Sequence, residues 1–404
     1  MLGLDWDPRM HVALMVTGFP TVNRPDRGIF NARTAVALSK QIKVDVLFFR
    51  TWSFKRHFVE HSYHNGLSVY TLWCPWIPKF SGLSTRIAAS IGACHLRHIL
   101  TSVNLLHSVD MTLAAQVAAV WSARFALPHV NQLISSMRLD NEPILRRYTP
   151  LLSTIFRIFC NSDAVKEHFQ QRFPSYSQAF TLRRGVDINE FGPPAANTSP
   201  SSSTETVFLY LGGFPSYGQQ NVKGEQTLTE AWALLEGMLT PFNCRLLLAG
   251  PRSDCSNAQK WRQRLRYPEA VTLVGLVHPN EMRQYYYQCN AVVIPSTSEG
   301  LPNVAMEAGA CGRPVIGSRI PAITEVVIDG ETGILFEPGD PHSLATTLRN
   351  VAQGTFDLHR LGHQARKRIE HNFSLNSYVA QLITHYHDVL ASLPTTSQYS
   401  NQVN

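Results

Sequence analysis

The sequence predicts an α/β protein built from two doubly wound domains facing a central cleft. Three observations lead there. Short apolar runs alternate with helical patterns in both halves of the chain, the mark of βαβ units and parallel sheets. A stretch full of Pro, Ser, Thr and Gly, GPPAANTSPSSSTET at 192–206, offers nothing to bury and reads as a linker between those halves. The length, 404 residues, suits two or three domains.

Taken in order, residues before the first apolar run read as an extension. HVALMVT at 11–17 is the first strand candidate, IFNARTAVALS at 29–39 a helix, and KVDVLFF at 43–49 the next strand. Residues 67–72, 103–107, 128–134 and 156–161 are further strand candidates. MTLAAQVAAVWSA at 111–123 is alanine-rich and apolar nearly all round, so it reads as a buried helix. After the linker come strands at 207–212, 245–250 and 271–275, with a helix near 224–237. Residues 374–392 have helical periodicity, and the polar 393–404 reads as a frayed tail. The domains then fall at 1–191 and 207–373.

Composition narrows the function. The chain is 44% hydrophobic, with a mean hydropathy of −0.10, as expected of a soluble globular protein. No run of about eighteen apolar residues is present, so no membrane span is expected. MLGLDWDPRM lacks a basic n-region and does not read as a secretory signal. Seven scattered cysteines without a C-x-x-C argue for reduced thiols in a cytoplasmic protein, not for a disulfide framework or zinc. The net charge of +7 admits nucleic acid, an anionic membrane surface or acidic small substrates. No helix-turn-helix, zinc spacing or RNP-like strand supports nucleic acid, which leaves an acidic donor and a membrane surface. There is no P-loop, G-x-G-x-x-G or H-E-x-x-H. Asp5-Trp6-Asp7 precedes the first strand and reads as accidental.

The most informative stretch is AVVIPSTSEGLPNVAMEAGACGRPVI at 291–316. It reads as strand, loop, helix, strand, with Pro302 as first helical residue. The loop would lie at the carboxyl end of a parallel strand, where such sheets bind ligands. Free N–H groups at 300–304 and the helix's positive end suit a phosphate. Glu299 and Glu307 flank that position and can accept hydrogen bonds from sugar or ribose hydroxyls. A phosphate beside a polyol describes a nucleotide sugar.

Glu299 and Glu307, with GRPVIGSRIPAITEVVIDGETGILFEPGD after them, resemble the E-x7-E signature and its continuation in retaining glycosyltransferases of the family 4 type. The resemblance runs from residue 10 to about 390. It implies the GT-B fold, two Rossmann-like domains with a C-terminal helix crossing back. It also implies that Glu299 holds the donor sugar, Glu307 the ribose, and Gly300, Leu301, Pro302 and Asn303 the diphosphate. Lys223-Gly224 matches the family's K-G, whose lysine grips the diphosphate and stabilises the leaving group. An Arg common directly after the preceding strand is replaced by Gly212-Gly213-Phe214. Arg252 is the suggested substitute, and Gly213 and Gly275 are expected beside the donor, Gly275 through His278 lying along the base.

In the first half, TGFPTVNRPDRGIFNARTAVALS at 17–39 resembles the opening loop and helix of members that build exopolysaccharides and cell-wall polymers. Gly28 would allow a close backbone approach to the donor or acceptor, and Arg24 and Arg27 could meet an anionic group. NLLHSVD at 104–110 resembles a D-h-h-H-x-H segment, which makes His107 a candidate at the reaction centre, although the second His is Val109 here. Residues 73–100 mix Trp73, Trp76 and Phe80 with Lys79, Arg86 and Arg97. They suit an interfacial helix contacting the inner face of the plasma membrane, and equally a core helix with solvated edges.

The expectation is a retaining glycosyltransferase moving sugar from a nucleotide-diphosphate donor to a glycan or lipid-linked acceptor. It would need no metal and no cofactor beyond the donor as co-substrate. An inactive relative serving as a binding subunit, and a sugar-nucleotide epimerase, remain alternatives.

Overall fold

A computed structural model of the chain describes residues 7–52, 57–75, 81–135, 139–194, 205–214 and 222–393. The chain divides into two compact units. One comprises 1–161, 165–182 and 376–404, the other 162–164 and 183–375.

The first unit holds strands β1 (Asp7–Val16), β2 (Ile42–Thr51), β3 (Val59–His64), β4 (Leu67–Cys74), β5 (Leu105–Val109), β6 (His129–Leu133), β7 (Arg157–Cys160) and β8 (Ala179–Thr181). Their order is β3-β4-β2-β1-β5-β6-β7-β8, and all pair in parallel except β3 with β4. That exception is a hairpin turned by Asn65-Gly66, both at positive φ, the Asn-Gly pairing that matches strand twist in a tight turn. The helices are α1 (Ile29–Ser39), α2 (Ser81–His95), α3 (Arg97–Leu100), α4 (Leu113–Phe125), α5 (Glu142–Tyr148) and α6 (Asp163–Arg172). α2 and α4 pack so closely that a Cβ on Gly92 would stand 2.4 Å from the Trp121 ring. Trp121 Nε1 donates to Ala89 O at 2.9 Å, so this aromatic is buried without stranding its N–H.

The second unit holds β9 (Thr206–Tyr210), β10 (Cys244–Ala249), β11 (Val271–Gly275), β12 (Ala291–Ile294), β13 (Val315–Ser318) and β14 (Gly333–Phe336). Its helices are α7 (Glu225–Met238), α8 (Ser256–Gln263), α9 (Met282–Gln288), α10 (Asn303–Ala310), α11 (Pro321–Thr324), α12 (Pro341–Ala352) and α13 (Leu358–Asn372). The sheet is parallel in the order β11-β10-β9-β12-β13-β14, the 3-2-1-4-5-6 order of a doubly wound dinucleotide-binding sheet. Its strands are nearly continuous apolar runs because helices cover both faces.

The last helix, α14 (Leu375–Ala391), returns to the first unit. Tyr378, Leu382, Tyr386 and Val389 are buried, a spacing of four, four and three that forms one stripe. Tyr378 OH donates to Gln132 Oε1 at 2.8 Å.

The first boundary lies at 182/183, nine residues before the position read from the sequence. Residues 183–191 belong to the second unit because their main chain is used there. Val186 N donates to Phe373 O and Leu375 N to Val186 O, at 2.8 and 2.9 Å. Arg366 holds the carbonyls of Ile188 and Phe191, and Phe191 is buried in that unit's core. Most of the expected linker, 195–204, and the tail from 394 lie outside the described residues. Among the described residues no helix is long and apolar enough to cross a membrane.

Candidate active site

In the second sheet the strand order reverses between β9 and β12. Two loops diverge there at the carboxyl ends of adjacent parallel strands, the place where such sheets take ligands. The β9 loop brings Lys223 and the β12 loop brings Glu299. Main-chain contacts tie the loops together. Thr297 N donates to Val222 O at 2.9 Å. Gly224, at φ 72°, lies so near Pro295 that a Cβ would stand 1.8 Å from its carbonyl oxygen. Only glycine fits a position with both a left-handed backbone and such a close approach.

Across this tie Lys223 Nζ donates to both carboxylate oxygens of Glu299, at 2.7 and 2.9 Å. Ser296 Oγ adds a third donor to Oε1 at 2.8 Å. The Glu299 side chain is only 11% exposed, whereas that of Lys223 is 50% exposed. The carboxylate is therefore fixed from one side and the ammonium remains open to solvent. The sequence reading treated the two as separate grips; the structure joins them.

α10 begins beside Glu299. Pro302 is its N-cap, with extended backbone, so the helix starts at Asn303, one residue later than expected. No side chain caps it, and the first N–H groups of a helix have no intrahelical acceptor. Gly300 and Leu301 are buried in the turn leading there. A positive helix end next to an exposed ammonium suits an anion. Further along the same helix Glu307 is 6% exposed and accepts from Tyr286 OH at 2.8 Å. Burial first, then the Glu307 charge, hold the Tyr286 phenol well above its usual range, so it stays a donor.

The neighbouring loops are locked to one another. Gly213, at φ 67°, lets the β9 loop close on the β10 loop, where Phe214 N donates to Pro251 O at 2.9 Å. Arg252 stands exposed in that β10 loop, at positive φ. Gly275 donates to Ser253 Oγ at 2.8 Å and accepts from Gly250 N at 2.9 Å. Its N–H is thus taken by the β10 loop. His278 caps a short turn, accepting from Asn280 N. Ser296, Ser253 and Tyr286 were not singled out from the sequence, since nothing local distinguishes them from other serines and tyrosines.

In the first unit the strand order reverses between β1 and β5. The loop after β1 carries Arg24, Arg27 and Gly28. A Cβ on Gly28, at φ 71°, would stand 2.2 Å from the Gly18 carbonyl carbon, so this glycine permits a close approach within its own loop. Arg24 is held by both Asp26 oxygens, at 3.0 and 2.9 Å. These hydrogen bonds raise the guanidinium and lower the carboxyl from their ordinary ranges. Arg27 is exposed. A cavity of about 490 Å³ opens on this loop and the end of β2.

His107 is 1% exposed in the middle of β5, where it shares a hydrogen bond with Tyr386 OH and stands edge-on to Phe159. Enclosed by Tyr386 of α14 and Phe159 of β7, this histidine packs in the core of the first unit. Residues 81–95 form a core helix with Arg86 solvated, and Trp73 is buried. Trp76, Lys79 and Phe80 lie outside the described residues.

Comparison with known proteins completes the picture. Residues 205–353 match the profile of the family described as glycosyl transferases group 1. The D-inositol 3-phosphate glycosyltransferase of Corynebacterium glutamicum (strain R) is 30% identical over 216 residues, 52% of this chain and 51% of that protein. The chain thus spans about half the length of that relative. Sucrose-phosphate synthase from Thermosynechococcus elongatus superposes with a TM-score of 0.75 at 21% identity, covering 95% of this chain and 100% of that one. Anabaena HepE in complex with UDP and glucose superposes at 0.72 and 18% identity, covering 94% and 100%.

Proposed function

We propose that this chain, whose residues 205–353 match the group 1 glycosyltransferase profile and which has the GT-B fold, moves a sugar from a nucleoside-diphosphate donor to an acceptor hydroxyl with retention. The observation that carries this reading is the Lys223–Glu299 pair beside the uncapped start of α10, at the strand-order reversal. Lys223 and the α10 amides take the diphosphate, Glu299 the sugar hydroxyls and Glu307 the ribose. The bond from the anomeric carbon to the leaving phosphate oxygen breaks while the acceptor oxygen bonds to the same face. The acceptor proton passes to the leaving oxygen. The charge on the departing diphosphate is stabilised by one ammonium and a helix end, on a scale of about 3–4 kcal/mol for a well-placed donor, without a metal.

The UDP and glucose held by HepE support a UDP-sugar as the first donor to try. A glycan or lipid-linked acceptor in exopolysaccharide, cell-wall or glycolipid synthesis, reached from the cytoplasm, fits the reading. Calorimetric titration with UDP, GDP and ADP, followed by transfer assays and NMR of the product's anomeric configuration, tests it. One nucleotide should bind and the anomeric configuration of the donor should persist. Failure of all three to bind, or an inverted product, overturns the proposal.

A further inference from the structure

We propose that the cavity of the first unit is a subsite for an anionic group, a phosphate or carboxylate on a polyol, held by Arg27 and Arg50. The cavity, about 490 Å³, lies within the range of small-molecule sites. Three arginines line it, Arg24, Arg27 and Arg50, with Phe19 and Phe48 among the apolar walls. No acidic side chain is among its described lining residues.

The state of each guanidinium differs. Arg24 is committed to Asp26. Arg50 lies 4.6 Å from the Trp73 ring centroid and 5.5 Å from that of Phe48. Stacking occupies the faces of a guanidinium and leaves its in-plane N–H edge for an acceptor. Phosphate and carboxylate match that edge with two parallel hydrogen bonds, whereas a neutral hydroxyl matches only one. Arg27 is exposed at the rim, and neither it nor Arg50 forms an ion pair with a described residue. Asp26 balances one positive charge of three, so the described lining of the cavity keeps a surplus of two. Its position after β1 and β2, at the carboxyl edge of a parallel sheet, is where a ligand is expected. The hydroxyls of Thr21 and Thr51, also on the wall, suit the polyol part.

In the glycosyl-transfer reading this occupant is the acceptor, and only that name rests on the reading. Binding itself is tested on the full chain by calorimetry with glucose 6-phosphate, glucuronate and glucose, and by flotation with phosphatidylglycerol or phosphatidylcholine vesicles. Glucose 6-phosphate or glucuronate should bind and glucose should not, with affinity falling as salt rises. Arg27→Ala and Arg50→Gln should each weaken binding by about tenfold or more, while UDP affinity, a property of the second unit, stays unchanged. Circular dichroism checks that Arg50→Gln, which loses its aromatic contacts, still folds. Binding confined to phosphatidylglycerol vesicles and lost in Arg27→Ala assigns the anion to a lipid headgroup and supports the site. Equal binding of glucose and glucose 6-phosphate, unchanged affinity in both variants, or no binding of any anionic probe overturns it. UDP binding without anion binding sinks this inference alone; anion binding without nucleotide binding sinks the transfer reading alone.

Discussion

Lys223 and Glu299, 76 residues apart in the chain, meet as a two-pronged ion pair at the point where the second sheet reverses its strand order. The pair is half open to solvent on its lysine side, and such pairs add only about 0–1 kcal/mol to stability. Its value must then lie in placing charge. Lys223→Ala and Glu299→Gln should each lower turnover by about 10²–10³-fold, with unfolding free energy changed by no more than about 1 kcal/mol. Steady-state kinetics beside urea unfolding separates the two effects. Activity loss that merely tracks unfolding would make the pair structural.

Gly224 fixes the approach of the two loops. Gly224→Ala meets both a positive φ and the Pro295 carbonyl, whereas Gly330, also at φ 72°, has nothing within 4 Å of an added Cβ. Gly330→Ala should therefore cost only backbone strain, about 1 kcal/mol. Gly224→Ala should cost clearly more and also reduce turnover, because Lys223 must move with the loop. Equal thermal shifts for the two variants would show that the contact is absent.

His107 and Tyr386 join β5 to α14. Tyr386→Phe removes one partner of a buried hydrogen bond and should destabilise the protein by about 1–3 kcal/mol. Turnover per folded molecule should not change. A fall in kcat with unaltered stability would restore His107 to the reaction.

His129 is fully buried, shares a 2.7 Å hydrogen bond with Ser108 Oγ, and is pushed by burial from 6.5 down to about 3. The folded state keeps it neutral while the unfolded chain protonates it near 6.5. Its contribution is thus fully present above 6.5 and is lost as pH falls toward 3, with a limiting slope of about 1.4 kcal/mol per pH unit. Urea unfolding of the wild type and His129→Gln at steps between pH 7 and 4.5 should give a shallower slope for the variant. Parallel slopes would show that His129 does not titrate on unfolding.

Much of this was legible in local pattern. α1 falls at Ile29–Ser39 and β11 at Val271–Gly275, as read from the apolar periodicity. β3 was missed because VEHSYH is polar and lies at a sheet edge, with no buried face to write an alternation. The Asn65-Gly66 turn beside it was the available signal. The Glu299–Glu307 spacing read as a loop carboxylate followed by a helical one, and Glu299 precedes α10 while Glu307 lies within it. It could not show that Lys223 reaches Glu299, that Tyr286 serves Glu307, or that His107 is enclosed by Tyr386.

The amino-acid order alone indicated most of the buried strands and several helices, because those preferences act over a few residues through periodicity, glycine and proline. It also pointed to the loop after β12 as a place that suits an anion, since a parallel strand entering a helix there presents free N–H groups. Pairings between distant segments were decided only by tertiary structure. A side chain's partner depends on strand order and loop closure, and contacts of 76 or 279 residues' separation leave no mark on the local sequence. The same holds for the arginine cavity, whose walls come from the loop after β1, the end of β2 and the start of α4 and acquire a common charge only once the sheet has formed.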